Sequence, residues 1–181
     1  MAKNYRIALG AICLCFLSYT ANALGTEDSI RARLMVVYTS QVGVHETGFN
    51  RGPKIKQYLA SSGNVEGQPW CGAFVCWCFR QLGLKCPAGA GAARNWFPAS
   101  KVIYRRGQAV YKKPKPGDCV GFIYGSRIGH VGFVDLWTDS WVITVEGNTG
   151  GGSGVNREGD GVRKMRRLRS QISLVSTWIP K

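Results

Sequence analysis

The spacing of the apolar residues changes halfway along the chain, and this change restricts the fold more than any other feature. In the first half they recur at helical spacing, which predicts helices over residues 27–42, 53–59 and 71–82. In the second half they alternate with other residues, which predicts strands over residues 119–124, 130–136, 141–146, 161–168 and 174–179. Helices followed by strands of the antiparallel type predict an α+β fold. A hydrophobic fraction of 45 % over 181 residues fits one folded domain and excludes intrinsic disorder.

The N-terminus has the three parts of a secretory signal peptide. Lys3 and Arg6 form a positive segment, an apolar stretch follows, and small residues up to Ala23 form a cleavage site. The apolar stretch is too short for a membrane helix, which needs ~20 residues. The sequence therefore predicts a signal peptide over residues 1–23, a single domain over residues 24–181 without a transmembrane span, and a secreted or periplasmic location.

Cys71 is the first candidate for a catalytic residue, because it begins the most apolar of the predicted helices. A thiol at a helix N-terminus lies near the positive end of the helix dipole and near free backbone N–H groups, which favour the nucleophilic thiolate. The same N–H groups can stabilise an oxyanion. Gln68 and Trp70, just before the thiol, are candidates for oxyanion and substrate binding. The alternative for Cys71 is a buried structural thiol or a disulfide.

Only two histidines are available as a catalytic base. His130 follows Gly129 at the start of a predicted strand, from which its ring can face a cleft and meet a thiol. His45 lies in a polar loop and is interpreted as a surface residue. Glu146 ends the next predicted strand and Asn148 follows it, so either can orient the imidazole. The alternatives are an ordinary strand-end histidine and an ordinary strand-end charge.

These residues lie in segments that resemble the CHAP domain, a cysteine- and histidine-dependent amidohydrolase/peptidase. The resemblance covers roughly residues 30–181, and the matching segments occur in the family's order: 68–75 (QPWCGAFV), 77–79 (WCF), 115–118 (KPGD), 129–132 (GHVG) and 145–149 (VEGNT). It implies a papain-like α+β fold with N-terminal helices packed on a C-terminal antiparallel sheet. It also implies cleavage of amide bonds in bacterial peptidoglycan. By the same resemblance, Cys71 is the nucleophile, His130 the base and Glu146 the orienting acid, while Asn148 supports that acid or the oxyanion.

Metal sites are not expected. Some phage members of the family carry an acidic calcium loop before the nucleophile, but residues 50–70 contain only Glu66 as an acid, and a hard cation needs several oxygen ligands. Cys76 and Cys78 are two residues apart within a predicted helix, which does not match the spacing of zinc ligands. The sequence predicts neither a metal nor another cofactor.

The chain is strongly basic, with a formal net charge of +14. A basic run near the C-terminus contributes Arg163, Lys164, Arg166, Arg167 and Arg169. In a strand these side chains would spread over both faces. The functional interpretation is that these charges attract anionic cell-envelope polymers. The alternative is that they only keep an exposed sheet edge soluble. No nucleic-acid-binding motif is present, so a specific nucleic-acid partner is not expected.

Three functions remain open at this point. The first is a secreted amidase or endopeptidase acting on peptidoglycan, with specificity set by cleft loops over residues 86–113 and 147–160. The second is an NlpC-type cysteine peptidase or an acyltransferase acting on another amide. The third is a basic cell-wall-binding module without catalysis. The pairing of Cys76, Cys78, Cys86 and Cys119 also stays open, since disulfide connectivity is not readable from sequence.

Overall fold

Three helices precede a six-stranded antiparallel sheet, which confirms the α+β class. The computed structural model describes residues 25–108, 112–150 and 159–180. The predicted signal peptide lies outside the described residues. The α-helices are α1 (Glu27–Thr39), α2 (Pro53–Ser61) and α3 (Cys71–Arg80), and short 3-10 helices cover Ala93–Trp96, Ala99–Lys101 and Arg169–Gln171. The strands are β1 (Val102–Arg105), β2 (Cys119–Tyr124), β3 (Arg127–Trp137), β4 (Trp141–Thr149), β5 (Gly161–Leu168) and β6 (Leu174–Ser176).

The helices begin where the sequence predicts and end close to the predicted positions. The Thr26 hydroxyl accepts a hydrogen bond from the backbone N–H of Ser29 and so caps α1. Pro53 takes the first position of α2, where a missing N–H costs nothing. The last predicted turn of α1 is not α-helical, because the N–H of Gln41 bonds to the carbonyl three residues earlier. No helix in the described ranges is long and apolar enough to cross a bilayer.

The sheet has the strand order β1-β6-β2-β3-β4-β5, and every neighbouring pair is antiparallel. β2 and β5 have the predicted bounds, β3 and β4 are longer, and β6 is shorter. The prediction of a loop over residues 86–113 is wrong for β1, whose Val102 lies opposite Ser176 of β6. This partner is distant in sequence, so local patterning did not indicate the strand.

The sheet is strongly curled. The ring centroids of Tyr104 on β1 and Trp137 on β3 are 4.9 Å apart, although two strands separate β1 from β3 in the sheet. A twisted sheet that curls in this way covers part of its own face. Phe122 of β2 and Val134 of β3 belong to the small apolar cluster inside the curl.

α3 packs directly on the two strands that carry the predicted histidine and acid. The rings of Phe74 and Phe79 lie 6.0 and 5.9 Å from the ring of Phe133 on β3. At Gly147 on β4, a Cβ atom would come within 2.7 Å of Phe74, so a glycine is needed for this approach. The close packing brings the N-terminus of α3 to β3 and β4.

Candidate active site

Cys71 is the first residue of α3, and its side chain lies at the base of a cleft of about 270 Å³. Only 5 % of Cys71 is exposed. Its thiol is hydrogen-bonded to His130 and to the backbone of Val131 and Gly72. The predicted nucleophile and the predicted base are therefore in direct contact.

His130 connects the thiol to a buried carboxylate. Its Nε2 lies 3.0 Å from Oε2 of Glu146, which leaves Nδ1 to face Cys71. His130 and Glu146 are 1 % and 0 % exposed. The ring of Phe122 lies beside the imidazole, with centroids 5.7 Å apart. The structure thus brings three of the predicted catalytic residues into one continuous chain of contacts.

Arg167 extends this chain and was not identified as part of the site from sequence. Its Nε donates to Oε1 of Glu146 at 2.9 Å and its Nη2 donates to Oε2 at 2.7 Å, a bidentate ion pair in which both side chains are 0 % exposed. The Thr144 hydroxyl also donates to Oε1. The basic run spreads over both faces of β5, as predicted: Lys164 and Arg166 are exposed, whereas Arg167 is buried. The alternation of β5 was the signal that one of these basic side chains faces the interior.

Gly132 gives the Glu146 side chain its route to the imidazole. A Cβ atom at Gly132 would lie 2.7 Å from Cγ of Glu146 and 2.8 Å from the carbonyl oxygen of Val145. No side chain fits there without moving the strand or the carboxylate. The glycine that follows His130 by two residues is thus a requirement of the contact between His130 and Glu146.

The electrostatics favour a thiolate–imidazolium pair. Burial alone would raise the pKa of the Cys71 thiol, but the hydrogen bond and charge of His130 and the neighbouring backbone groups lower it below its usual value. Burial alone would lower the pKa of His130, but Cys71 and Glu146 raise it to about 9. Burial would likewise raise the pKa of Glu146, whereas His130 and Arg167 lower it to about 2. These opposite shifts favour negative charge on the sulfur and protons on both nitrogens of the imidazole.

Asn148 holds the end of β4 to the start of α3. Its backbone has a positive φ of 56°. With the amide oriented by its hydrogen-bond partners, the side-chain oxygen accepts from the N–H of Trp70 at 3.1 Å and the nitrogen donates to the carbonyl of Gly159 at 2.6 Å. These contacts differ from the predicted support of Glu146 or the oxyanion. Asn148 acts on the residue that precedes Cys71, so it is a positioning residue.

Trp70 is a core residue, and this corrects its prediction as a substrate-binding side chain. It is 0 % exposed, its ring stacks on Tyr58, and its Nε1 donates to Oε1 of Glu46 at 2.6 Å. The other carboxylate oxygen of Glu46 accepts from the N–H of Asn50. Glu46 thereby links the loop before α2 to the start of α3, a role that no pattern in the sequence indicated.

Gln68 lines the cleft beside Cys71. Its Oε1 accepts hydrogen bonds from Nδ2 of Asn64 at 2.9 Å and from the N–H of Val65 at 3.1 Å. These bonds fix the amide and leave its nitrogen as a donor. Arg94 and Arg127 are exposed residues that also line the cleft, and neither forms an ion pair with the described residues.

His45 is far less enclosed than His130. Its side chain is 49 % exposed, and its Nδ1 lies 3.8 Å from Asp160 at the start of β5. It is not among the residues that line the cleft beside Cys71. Within residues 25–108, 112–150 and 159–180, no group of three or more His, Cys, Asp or Glu side chains is placed to hold a metal ion.

Comparison with known proteins gives one finding. The family model of the CHAP domain matches residues 63–148, a segment that includes Cys71, His130, Glu146 and Asn148 but not Arg167. Neither the curated proteins nor the solved structures contain a match. CHAP domains are in general hydrolases of the amidase and peptidase type. Residues 63–148 therefore match the CHAP family model, within the roughly 30–181 over which the motifs resemble that family.

Proposed function

We propose that this protein is a secreted cysteine hydrolase that cleaves amide bonds in bacterial peptidoglycan, as an N-acetylmuramoyl-L-alanine amidase or as an endopeptidase of stem peptides or cross-bridges. The observation that carries the proposal is the chain of contacts from Cys71 through His130 to Glu146. It starts from a thiol that lies at a helix N-terminus and borders a cleft. This is the arrangement that nucleophilic catalysis by a thiol requires.

In the acylation step, the Cys71 thiolate attacks the carbonyl carbon of the scissile amide. The new S–C bond places negative charge on the carbonyl oxygen, which the free N–H groups at the start of α3 and the amide nitrogen of Gln68 stabilise. The C–N bond then breaks as the His130 imidazolium gives its Nδ1 proton to the leaving amine. Glu146 keeps the ring oriented and balances its charge, and Arg167 holds Glu146 in place.

In the deacylation step, neutral His130 takes a proton from a water molecule that attacks the thioester. The S–C bond breaks, the carboxylic acid product leaves, and the thiolate–imidazolium pair is restored. No other group needs to donate or accept a proton. Asn148 and Glu46 contribute by fixing Trp70, and with it the position of Cys71.

The charge of the protein supports an acidic polymer as substrate. Arg94 and Arg127 at the cleft are free of ion-pair partners among the described residues, and the whole chain has a net charge of +14. Peptide stems in peptidoglycan carry carboxylates, which arginine binds well. Lys164 and Arg166 on the exposed face of β5 would add attraction to anionic envelope polymers. The signal peptide over residues 1–23 would deliver the protein to this substrate.

The experiment is mass spectrometry of purified peptidoglycan treated with the wild type and with the Cys71→Ala variant. Cys86→Ala is the matched control, because Cys86 is another thiol of the chain but does not border the cleft. We expect new fragments with the wild type and the control but not with Cys71→Ala. Free lactyl groups on muramic acid would identify an amidase, and cut peptides an endopeptidase.

Other products would contradict the proposal. A joined product in place of a new amine and carboxylate would indicate an acyltransferase. The absence of fragments from folded wild type, on walls of several chemical types, would reject peptidoglycan hydrolysis. Fragments from Cys71→Ala would reject the assigned nucleophile.

A further inference from the structure

Four cysteines of the described chain have no part in the mechanism, and two of them form a distinct cluster. Cys86 donates a hydrogen bond through its Sγ to the backbone carbonyl of Cys76 at 3.4 Å. The Cys76 thiol interacts with the Cys86 thiol, and its own Sγ donates to the backbone carbonyl of Ser61 at 3.4 Å. Cys76 lies in the middle of α3, whereas Cys86 lies in the segment that follows this helix. The pair connects the helix of Cys71 to the next part of the chain.

We propose that Cys76 and Cys86 are a dithiol site that oxidises to an intramolecular disulfide while Cys71 stays a free thiol. The oxidant is a disulfide, either a small molecule or a protein. This inference concerns a modification site and does not depend on the hydrolase function. It rests on the hydrogen bond between Cys86 and Cys76 and on the partial exposure of Cys86, the thiol that an oxidant can reach.

The surroundings of the pair favour thiol–disulfide exchange. Cys86 is half-buried, so an external disulfide can reach it. The pKa of Cys76 is lowered to about 6, first by the hydrogen bond with Cys86 and further by Arg80, although burial acts in the opposite direction. Arg80 is hydrogen-bonded to Cys76 and to Cys86. A thiol near a guanidinium is more often a thiolate and reacts faster with disulfides.

The remaining cysteines are protected. Cys78 and Cys119 are 0 % exposed, and burial raises the pKa of each thiol well above its usual value. Cys71 is only 5 % exposed, and its thiol is already hydrogen-bonded to His130. Cys76 is also 0 % exposed, so an external oxidant reaches Cys86 first, and the hydrogen bond from Cys86 to the backbone of Cys76 directs the second exchange to that thiol.

The reaction balances in two exchanges. The accessible Cys86 reacts first: as a thiolate it attacks the external disulfide, forms a mixed disulfide and releases one thiolate of the oxidant. The second thiolate attacks the protein sulfur of the mixed disulfide, which forms the Cys76–Cys86 bond and releases the other half of the oxidant. The protein loses two electrons and two protons, and the oxidant is reduced to two thiols.

The test uses the purified protein, first reduced and then incubated with excess oxidised glutathione in native buffer. The protein is then denatured in the presence of iodoacetamide, which blocks all free thiols, and is digested with trypsin. Arg80 and Lys85 lie between the two cysteines, so the disulfide joins two tryptic peptides. Because Cys71, Cys76 and Cys78 share one tryptic peptide, the variants Cys76→Ala and Cys86→Ala are compared with the matched control Cys78→Ala.

We expect two fewer blocked thiols after oxidation in the wild type and in Cys78→Ala, with the two peptides linked and Cys71 alkylated. The link should be absent from Cys76→Ala and from Cys86→Ala. Closing this short loop should also raise Tm by roughly 5 °C, reversibly with a reductant. The proposal is overturned if all thiols remain free in the oxidised wild type. It is also overturned if the link involves Cys71, Cys78 or Cys119, or persists in Cys86→Ala.

Discussion

The two histidines of the chain each lie beside a carboxylate, but their surroundings differ. His130 and Glu146 are almost fully buried and 3.0 Å apart, and Arg167 contacts the same carboxylate. His45 and Asp160 are 3.8 Å apart, with side chains 49 % and 63 % exposed. Water screens the second pair, so it contributes little to stability. The comparison teaches that exclusion of water and a third charged group, rather than a nearby acid, make a histidine suitable for catalysis.

The largest expected effect is the loss of activity on replacing His130, and the same replacement at His45 is the control. We expect His130→Gln to lower kcat/KM on peptidoglycan fragments by about 10³-fold or more, since it removes both the proton donor and the base. His45→Gln should leave kcat/KM within about twofold, because its ring does not border the cleft. The measurement is initial rate against substrate concentration for both variants. Equal losses in the two variants would contradict the assigned roles.

The second prediction concerns the two arginines that contact these carboxylates. Arg167→Met leaves the buried Glu146 without its bidentate partner and should destabilise the protein by about 3–5 kcal/mol. Arg163→Met removes an exposed pair with Asp160 and should cost less than about 1 kcal/mol. Urea unfolding curves measure both.

A double variant tests whether the cost comes from an unpaired charge. Arg167→Met combined with Glu146→Gln removes both charges and should be less destabilised than Arg167→Met alone. If the double variant loses as much stability as both single variants together, the two side chains do not interact as described.

The third prediction is the pH dependence of the reaction. Since the pKa of Cys71 is lowered, kcat/KM should rise with pH as the thiolate forms, at pH values below 9.0, the ordinary pKa of a thiol. It should fall near pH 9 as His130 loses its proton. Glu146→Gln should move the alkaline limb to lower pH, because one of the groups that raise the pKa of His130 is gone. An alkaline limb unchanged by Glu146→Gln would show that this carboxylate does not act on the imidazole.

The smallest effect is expected on the stability of the protein at acid pH, when Glu146 or Asp160 is replaced by its amide. The pKa of Glu146 is about 2 in the folded protein, against 4.5 as its ordinary value. Its contribution to stability is therefore complete above pH 4.5 and is lost as the pH falls towards 2. Thermal unfolding across this range should show a shallower loss for Glu146→Gln, whereas Asp160→Asn should follow the wild type within about 0.5 kcal/mol. Parallel curves for all three proteins would contradict the comparison.

Much of this arrangement was predictable from the sequence. The helix that begins at Cys71 follows from its apolar run and the preceding Pro69, and β2 follows from a turn signal and an apolar segment. The order of the motifs indicated that Cys71, His130 and Glu146 come together, and the structure puts them in contact.

The rest depends on contacts between distant parts of the chain. Arg167 joins the site because β5 pairs with β4 and places it beside Glu146. The sequence predicted that the basic run spreads over both faces of a strand, but it did not indicate which partner Arg167 meets. Glu46 and the indole of Trp70 are 24 residues apart, and neither has a pattern that indicates the other. β1 was missed because β6, its strand partner in the described part of the chain, is near the C-terminus.

The hydrogen bond from Trp70 to Asn148 has a consequence for how the site tolerates motion. Asn148 follows Glu146 by two residues on β4 and holds the residue before Cys71. One strand, β4, therefore helps to position both the acid and the residue that precedes the thiol. A substitution that displaces β4 would therefore disturb the acid and the residue before the thiol together.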